Sequence, residues 1–183
     1  MRRFLFAALT FVSLCGFAGC GDKIDIDYGQ TDNDNSVVFV DSHMTFTYDL
    51  KGAITEMVDV NVSTTLPAAN GSVTTSTDGT KHIVSIANIK CPTAFDIKFQ
   101  LVPKENLELD DNTVYDCKLD CNFTIVRRFS DGRYILGNSE SVSNLINNTF
   151  LGSKAEEFIG RIGTQNFSFG MSADGYYEEI VEE

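Results

Sequence analysis

The sequence predicts an all-β domain, mainly antiparallel, with one or two short helices before the last strand. Three observations carry that expectation. Apolar and polar residues alternate along several runs, Asp-Gly pairs separate neighbouring runs, and helical spacing of apolar residues is confined to a stretch near the C-terminus. Period-two alternation places one face of a strand in a core and the other in water, as antiparallel sheets do.

The elements follow in order from Val37. Val58, Val60 and Val62 alternate with Asp59, Asn61 and Ser63, and Phe95, Ile97, Phe99 and Leu101 alternate with Asp96, Lys98 and Gln100. The longest run is Tyr115, Cys117, Leu119, Cys121, Phe123 and Ile125, interleaved with Asp116, Lys118, Asp120, Asn122 and Thr124. Asp78-Gly79 is expected to join Ser72–Thr77 to Thr80–Ile86, and Asp131-Gly132 to join Phe123–Ser130 to Arg133–Leu136. Both are read as two-residue hairpin loops, because Asp and Gly tolerate positive φ. Asn70-Gly71 and Asp174-Gly175 are further turns. Pro103 is expected to end the Phe95 strand, since it cannot donate to a ladder.

Ser153-Lys154-Ala155-Glu156 has the spacing of a capping box. Ala155, Phe158, Ile159 and Ile162 follow at helical spacing, with Gly163 placed to close the helix. A weaker helical run covers Ser141–Asn147, with Val142, Leu145 and Ile146 on one side. Alternation returns through Phe167, Phe169 and Met171. Eight to ten strands are expected.

The chain of 183 residues is 43% hydrophobic and 22% charged, a balance that supports a packed core rather than a disordered chain. A formal charge of −12 argues against nucleic-acid binding, which draws on Lys and Arg. With two histidines, His43 and His82, imidazole chemistry is thinly supplied. No nucleophile elbow, P-loop, dinucleotide fingerprint or H-E-x-x-H pair occurs. His43 follows Ser42, but adjacent strand residues point to opposite faces. Asp32-Asn33-Asp34-Asn35-Ser36 matches half of an EF-hand loop, yet Val37 stands where Gly is needed and His43 where Glu is needed. Asp110-Asp111 and Glu178-Glu179 are the adjacent acids that a glycosidase-like dyad would draw on. N-x-S/T triplets begin at Asn61, Asn70, Asn122, Asn147 and Asn166, and Tyr176 and Tyr177 are aromatics that can dock a sugar or a protein.

Cys117 and Cys121 are about 13 Å apart along one strand face and cannot bond each other. If the Phe95 and Tyr115 strands pair as a hairpin, Cys91 falls near Cys121. A Cys91–Cys121 disulfide then fits an oxidising compartment, with buried free thiols as the alternative. No metal site is expected, since the C-x3-C spacing lies on a strand, and no cofactor is implied.

Arg2 and Arg3 precede an apolar run, Phe4 to Phe17, of signal-peptide length and too short to span a bilayer. The run ends in Phe17-Ala18-Gly19-Cys20, which resembles the lipobox of bacterial lipoproteins, although Phe17 departs from the usual Leu. The resemblance implies that residues 1–19 are removed and that Cys20 is acylated, a durable membrane anchor. Gly21 in place of Asp implies the outer membrane by the enterobacterial rule. Asp22-Lys23-Ile24-Asp25-Ile26-Asp27 is loosely similar to export signals of surface lipoproteins in the Bacteroidetes, so a periplasmic or cell-surface side is left open. Loss of Arg2 and Arg3 without any acid takes the charge from −12 to −14. A body so acidic is repelled by anionic headgroups. Residues 20–35 then form the acylated cysteine and an acidic tether reaching about 20 Å as a coil, and residues 36–183 one β domain.

An immunoglobulin-like sandwich is the first expectation for that domain, and a calycin-like barrel the alternative. The leading function is a monomeric, non-enzymatic binding or structural module on the envelope, an accessory to glycan uptake or adhesion. The alternatives are a carrier of a small apolar ligand and a hydrolase with an acidic dyad. Exposed aromatics at one edge, an enclosed apolar cavity and facing carboxylates respectively distinguish them.

Overall fold

The alternating runs become strands because each buries its apolar face against the runs of a second sheet. A computed structural model describes residues 37–105 and 108–178; the signal segment, Cys20, the tether and the EF-hand-like stretch through Ser36 lie outside them. The strands are β1 (Phe39–Lys51), β2 (Val58–Thr64), β3 (Ser72–Asp78), β4 (Lys81–Ile89), β5 (Thr93–Pro103), β6 (Val114–Phe129), β7 (Tyr134–Leu151), β8 (Thr164–Met171) and β9 (Tyr177–Glu178), with α1 (Ala155–Ile162) before β8. One sheet has the order β3-β4-β1-β6-β7 and the other β2-β5-β8-β9, all neighbours antiparallel. The protein is an all-β sandwich. It shares the two-sheet layering of immunoglobulin-type domains, and the sheets do not close into the alternative barrel.

β1 is central, flanked by β4 along Ser42–Asp49 and by β6 along nearly its whole length. Its inward residues Met44, Phe46, Tyr48 and Leu50 are buried, as are Phe95, Ile97, Phe99 and Leu101 on β5 and Phe167, Phe169 and Met171 on β8. The layers meet through aromatic rings. Tyr48 stacks on Phe99 at 4.3 Å, Phe46 lies 4.8 Å from Phe167, and Phe95 lies 5.6 Å from Phe169. α1 closes one end by stacking Phe158 on Phe150 at 4.4 Å and burying Ala155, Ile159 and Ile162.

Several local expectations are corrected. The Phe95 and Tyr115 strands are not a hairpin: β5 pairs with β2 and β8, β6 with β1 and β7, in opposite sheets. The first hairpin loop is Gly79-Thr80, because Asp78 already pairs with Lys81; Gly79 takes the positive φ (59°) at the first loop position of a primed turn. The second loop has three residues, Ser130-Asp131-Gly132, since Phe129 N–H bonds to Arg133 O at 3.0 Å, and Gly132 supplies the left-handed residue (φ 85°). The capping box does not form: Ser153 lies in a 3-10 turn (Gly152–Lys154), and Lys154 precedes the helix without a side-chain cap.

The weak helix over Ser141–Asn147 is likewise part of β7. Val142 pairs with Cys121 and Ile146 with Leu119, so an irregularity fits four steps of β7 against two of β6. Asn144, at φ 56°, turns its N–H to Asp120 Oδ1 at 2.7 Å. The insertion spaces two core-facing residues by four, which imitates a helical period. α1 is the one α-helix among the described residues. Gly163 follows it in right-handed geometry (φ −53°) rather than as a left-handed stop, and its carbonyl accepts Leu101 N–H at 2.8 Å, leading the chain straight into β8.

Candidate functional site

The conspicuous surface lies at the end of the sandwich where the described chain begins. Among the described residues nine large hydrophobics are exposed, and seven of them, Val37, Val38, Val40, Tyr134, Ile135, Leu136 and Tyr176, gather here. Three elements build this rim. The chain before β1 is fixed to the β6–β7 loop by Ser130 N–H to Val38 O (2.8 Å) and Val38 N–H to Ser130 Oγ (3.1 Å). Phe39 faces Phe129 across the ladder, and a register shift at Val40 leaves that side chain 47% exposed. The β8–β9 turn brings Tyr176 over Arg127, whose guanidinium carbon is 3.9 Å from the tyrosine centroid, 5.1 Å from Phe129 and 5.6 Å from Phe39. Arg127 Nε also donates to Asp174 O at 2.6 Å. Such ring–cation contacts hold a guanidinium without a carboxylate.

Beside the rim stands the nearest approach to a catalytic arrangement. Asp41, Ser42 and His43 are consecutive on β1. Asp41 is buried and accepts Arg128 Nε at 2.9 Å and Arg128 Nη2 in a two-pronged pair. His43 Nε2 lies 3.4 Å from Asp41 Oδ1 without hydrogen-bond alignment, and its ring meets Tyr134 edge-on at 5.4 Å. Ser42 is on the opposite face and donates to Gly175 O at 3.1 Å. Asp41 is committed to Arg128 and Ser42 to the Gly175 carbonyl, so no relay from acid through imidazole to hydroxyl is assembled. His82, half-buried on β4, meets Tyr48 edge-on at 6.4 Å.

The adjacent acids have structural work. Asp110 Oδ1 accepts Asn112 N–H at 2.8 Å, and Asp111 O accepts Ser153 N–H at 3.3 Å, tying this turn to the start of α1. Glu178 ends β9, and Glu179 lies outside the described residues. The facing carboxylates are instead Asp49 and Asp120, which hold Lys51 Nζ between them at 3.0 and 2.7 Å. Burial pushes Asp49 up, but hydrogen bonds from Thr80 and Lys51 outweigh it and leave the carboxyl below its ordinary value. The Lys51 bond, then the Asn144 N–H, lower Asp120. A glycosidase acid must be raised; these two are lowered.

The shifts set an acid limit on stability. A carboxylate whose folded pKa lies below its unfolded value of 3.8 stabilises the fold above that pH and loses its contribution as pH falls through the folded value. Burial lowers His82 below 6.5, which disfavours the folded state once imidazole protonates in the unfolded chain. Thermal denaturation is therefore expected to show a shallow loss of Tm below about pH 6.5 and a steep one below about pH 4. His82→Gln should remove the first limb and Asp120→Asn flatten the second. A Tm constant from pH 7 to 3 would contradict this.

The three cysteines among the described residues are free: Cys117 and Cys121 buried on β6, Cys91 half-buried. The Cys91–Cys121 disulfide is corrected by register. Cys91 follows Ile89, which pairs with Ser42, whereas Cys121 pairs with Tyr48. Those levels are six residues apart on β1, about 20 Å at strand rise, against the 4.4–6.8 Å between Cα atoms that a disulfide spans. Burial pushes the Cys117 thiol up to about 11 and Cys121 higher still, so neither is a nucleophile at neutral pH. No group of three or more His, Cys, Asp or Glu side chains suited to a metal occurs among the described residues.

Away from the rim, α1, β5, β7 and β8 border an open cleft of about 890 Å³. Leu145, Ile146 and Ile159 give it apolar walls, and Gln100, Asn148 and Arg161 give polar ones. The interior that a calycin-like carrier would leave for its ligand is filled by the rings of Phe46, Tyr48, Phe99, Phe167 and Phe169.

What fold and surface define is an all-β sandwich with an aromatic–arginine rim at one end and a mixed cleft toward the other. Comparison with protein families, curated proteins and solved structures gives no match. Reading the strands by period two misses the rim, although a signal was present. Val37-Val38-Phe39-Val40 and Tyr134-Ile135-Leu136 are unbroken apolar runs, which an exposed strand does not carry without a use.

Proposed function

We propose that the protein is a lipid-anchored, non-enzymatic binding module of the bacterial cell envelope, held at the outer membrane through Cys20. The observation that carries the binding half is the rim. Exposed aromatics at one edge are what a contact surface needs, and seven exposed hydrophobic side chains collected at one end exceed what scattered surface residues require. The lipobox resemblance carries the anchoring half. The cleft, bordered by α1, is the surface left for a glycan or protein in an accessory role in uptake or adhesion.

The acids favour contact over turnover, because Asp41, Asp49 and Asp120 are each ion-paired. The acylated protein is expected to turn over no common ester, glycoside or peptide substrate. Reproducible turnover abolished by Asp41→Asn, with folding intact by circular dichroism, would overturn the proposal in favour of a hydrolase.

A further inference from the structure

We infer that the rim docks on the bilayer that holds the acylated Cys20, so that the domain stands end-on with its rim in the interfacial zone. The inference rests on the lipoprotein reading and names the occupant of the rim.

Three observations carry it. The first is location. The described chain starts at Val37, inside the rim, and residues 21–36 are all that separate it from Cys20 in the sequence. Sixteen residues span at most about 53–58 Å even at full extension, so an anchor at Cys20 keeps the rim within that distance of the surface. Tethering at that range gives an effective concentration of order millimolar, at which even weak docking is populated.

The second is chemistry. Tyr134 and Tyr176 have apolar rings with polar tips, the type of side chain that collects at headgroup level. Val38, Ile135 and Leu136 supply aliphatic surface to bury beyond it, and Arg127 has the long stem and cationic head of a snorkelling residue.

The third is charge. The chain is strongly acidic, yet at this end Asp41 is paired with Arg128 and Asp131 with Arg133. The general repulsion between an acidic body and an anionic surface is thereby relieved at the rim. The other two large hydrophobics exposed among the described residues, Val114 and Leu151, face each other where β6 begins and β7 ends. They lie about 40 Å or more along β6 from the rim at strand rise.

The chain contains no Trp, so one introduced Trp reports without background. The full acylated protein carrying Leu136→Trp is reconstituted in vesicles of phosphatidylethanolamine and phosphatidylglycerol, with and without brominated acyl chains. Val114→Trp serves as the far-end control, and Tyr134→Trp as a second rim reporter should Leu136→Trp perturb the loop. Rim emission is expected to shift to shorter wavelength and be roughly halved by brominated lipid, as for side chains seated about 5–10 Å into the interface, while the far-end Trp is unaffected.

If the protein sediments with vesicles and labels at Cys20 but rim and far-end reporters respond alike, docking is overturned and the anchor stands. A blue shift without bromine quenching, with a doubled mass in detergent, shows a second copy on the rim and also overturns docking. Failure to label or to sediment overturns the anchor itself, and the docking with it.

Discussion

Labelled palmitate is expected to enter the native protein and to be absent from the Cys20→Ala variant. The native mature chain should begin at Cys20. Each buried CH₂ contributes about 0.8 kcal/mol, so one acyl chain holds marginally and two or three hold durably. The remainder of the attachment machinery is weak by comparison. No helix among the described residues is long and apolar enough to cross a membrane, and the rim contributes only a shallow contact. The effect of one sulfur is therefore close to all-or-none: the variant should remain an uncut precursor or be cut elsewhere. Label in the variant, or a mature chain beginning at another residue, would refute the lipid anchor and the outer-membrane placement together.

Phe99→Ala is expected to cost about 3–5 kcal/mol, a fall in Tm of roughly 10 °C for a domain of this size. Phe99 is fully buried, with Tyr48 at 4.3 Å, Phe46 at 5.5 Å and Phe167 at 6.0 Å. Removing its ring opens a void between the sheets that stiff aromatic neighbours fill poorly. Tyr48→Phe is the contrast. The Tyr48 hydroxyl is buried without a hydrogen-bond partner, and burial raises its pKa far above the ordinary phenol value. Deleting that oxygen should leave stability unchanged or raise it by about 1 kcal/mol, because an unsatisfied polar group is lost and the ring stack kept. A cost for Phe99→Ala below about 1 kcal/mol, read from urea midpoints, would show that the inter-sheet stack is not what holds the layers together, and destabilisation by Tyr48→Phe would show that the hydroxyl has a partner.

The strands were legible where one face is buried along the whole run. On β5 and β6 the alternation Phe95 to Leu101 and Cys117 to Ile125 became buried residues without exception. The pairing partner was not legible, because the same pattern suits a neighbour in one sheet or a strand in the facing sheet. That is why β5 and β6 read as a hairpin, and why Cys91 was placed beside Cys121. β7 defeated the periodicity differently: the insertion around Asn144 spaces core residues by four. The rim was hidden because Val38 and Leu136 are residues that normally enter cores, and nothing local states where a sheet ends. The ion pairs of Asp41 with Arg128 and of Lys51 with Asp120 join residues 87 and 69 positions apart, beyond any short motif.

The central position of β1 has a mechanical consequence. Tension applied at the amino-terminal end of β1 enters at Phe39 and runs along a strand of 13 residues bonded on both sides, to β4 and to β6. Antiparallel ladder bonds lie perpendicular to the strand axis, so a pull along β1 strains many of them together in shear instead of opening them one after another. Resistance to such a pull is governed by the rate of unfolding rather than by equilibrium stability. A domain pulled by its first strand is thus gripped through the central strand of its five-stranded sheet, and the load meets many ladder bonds at once.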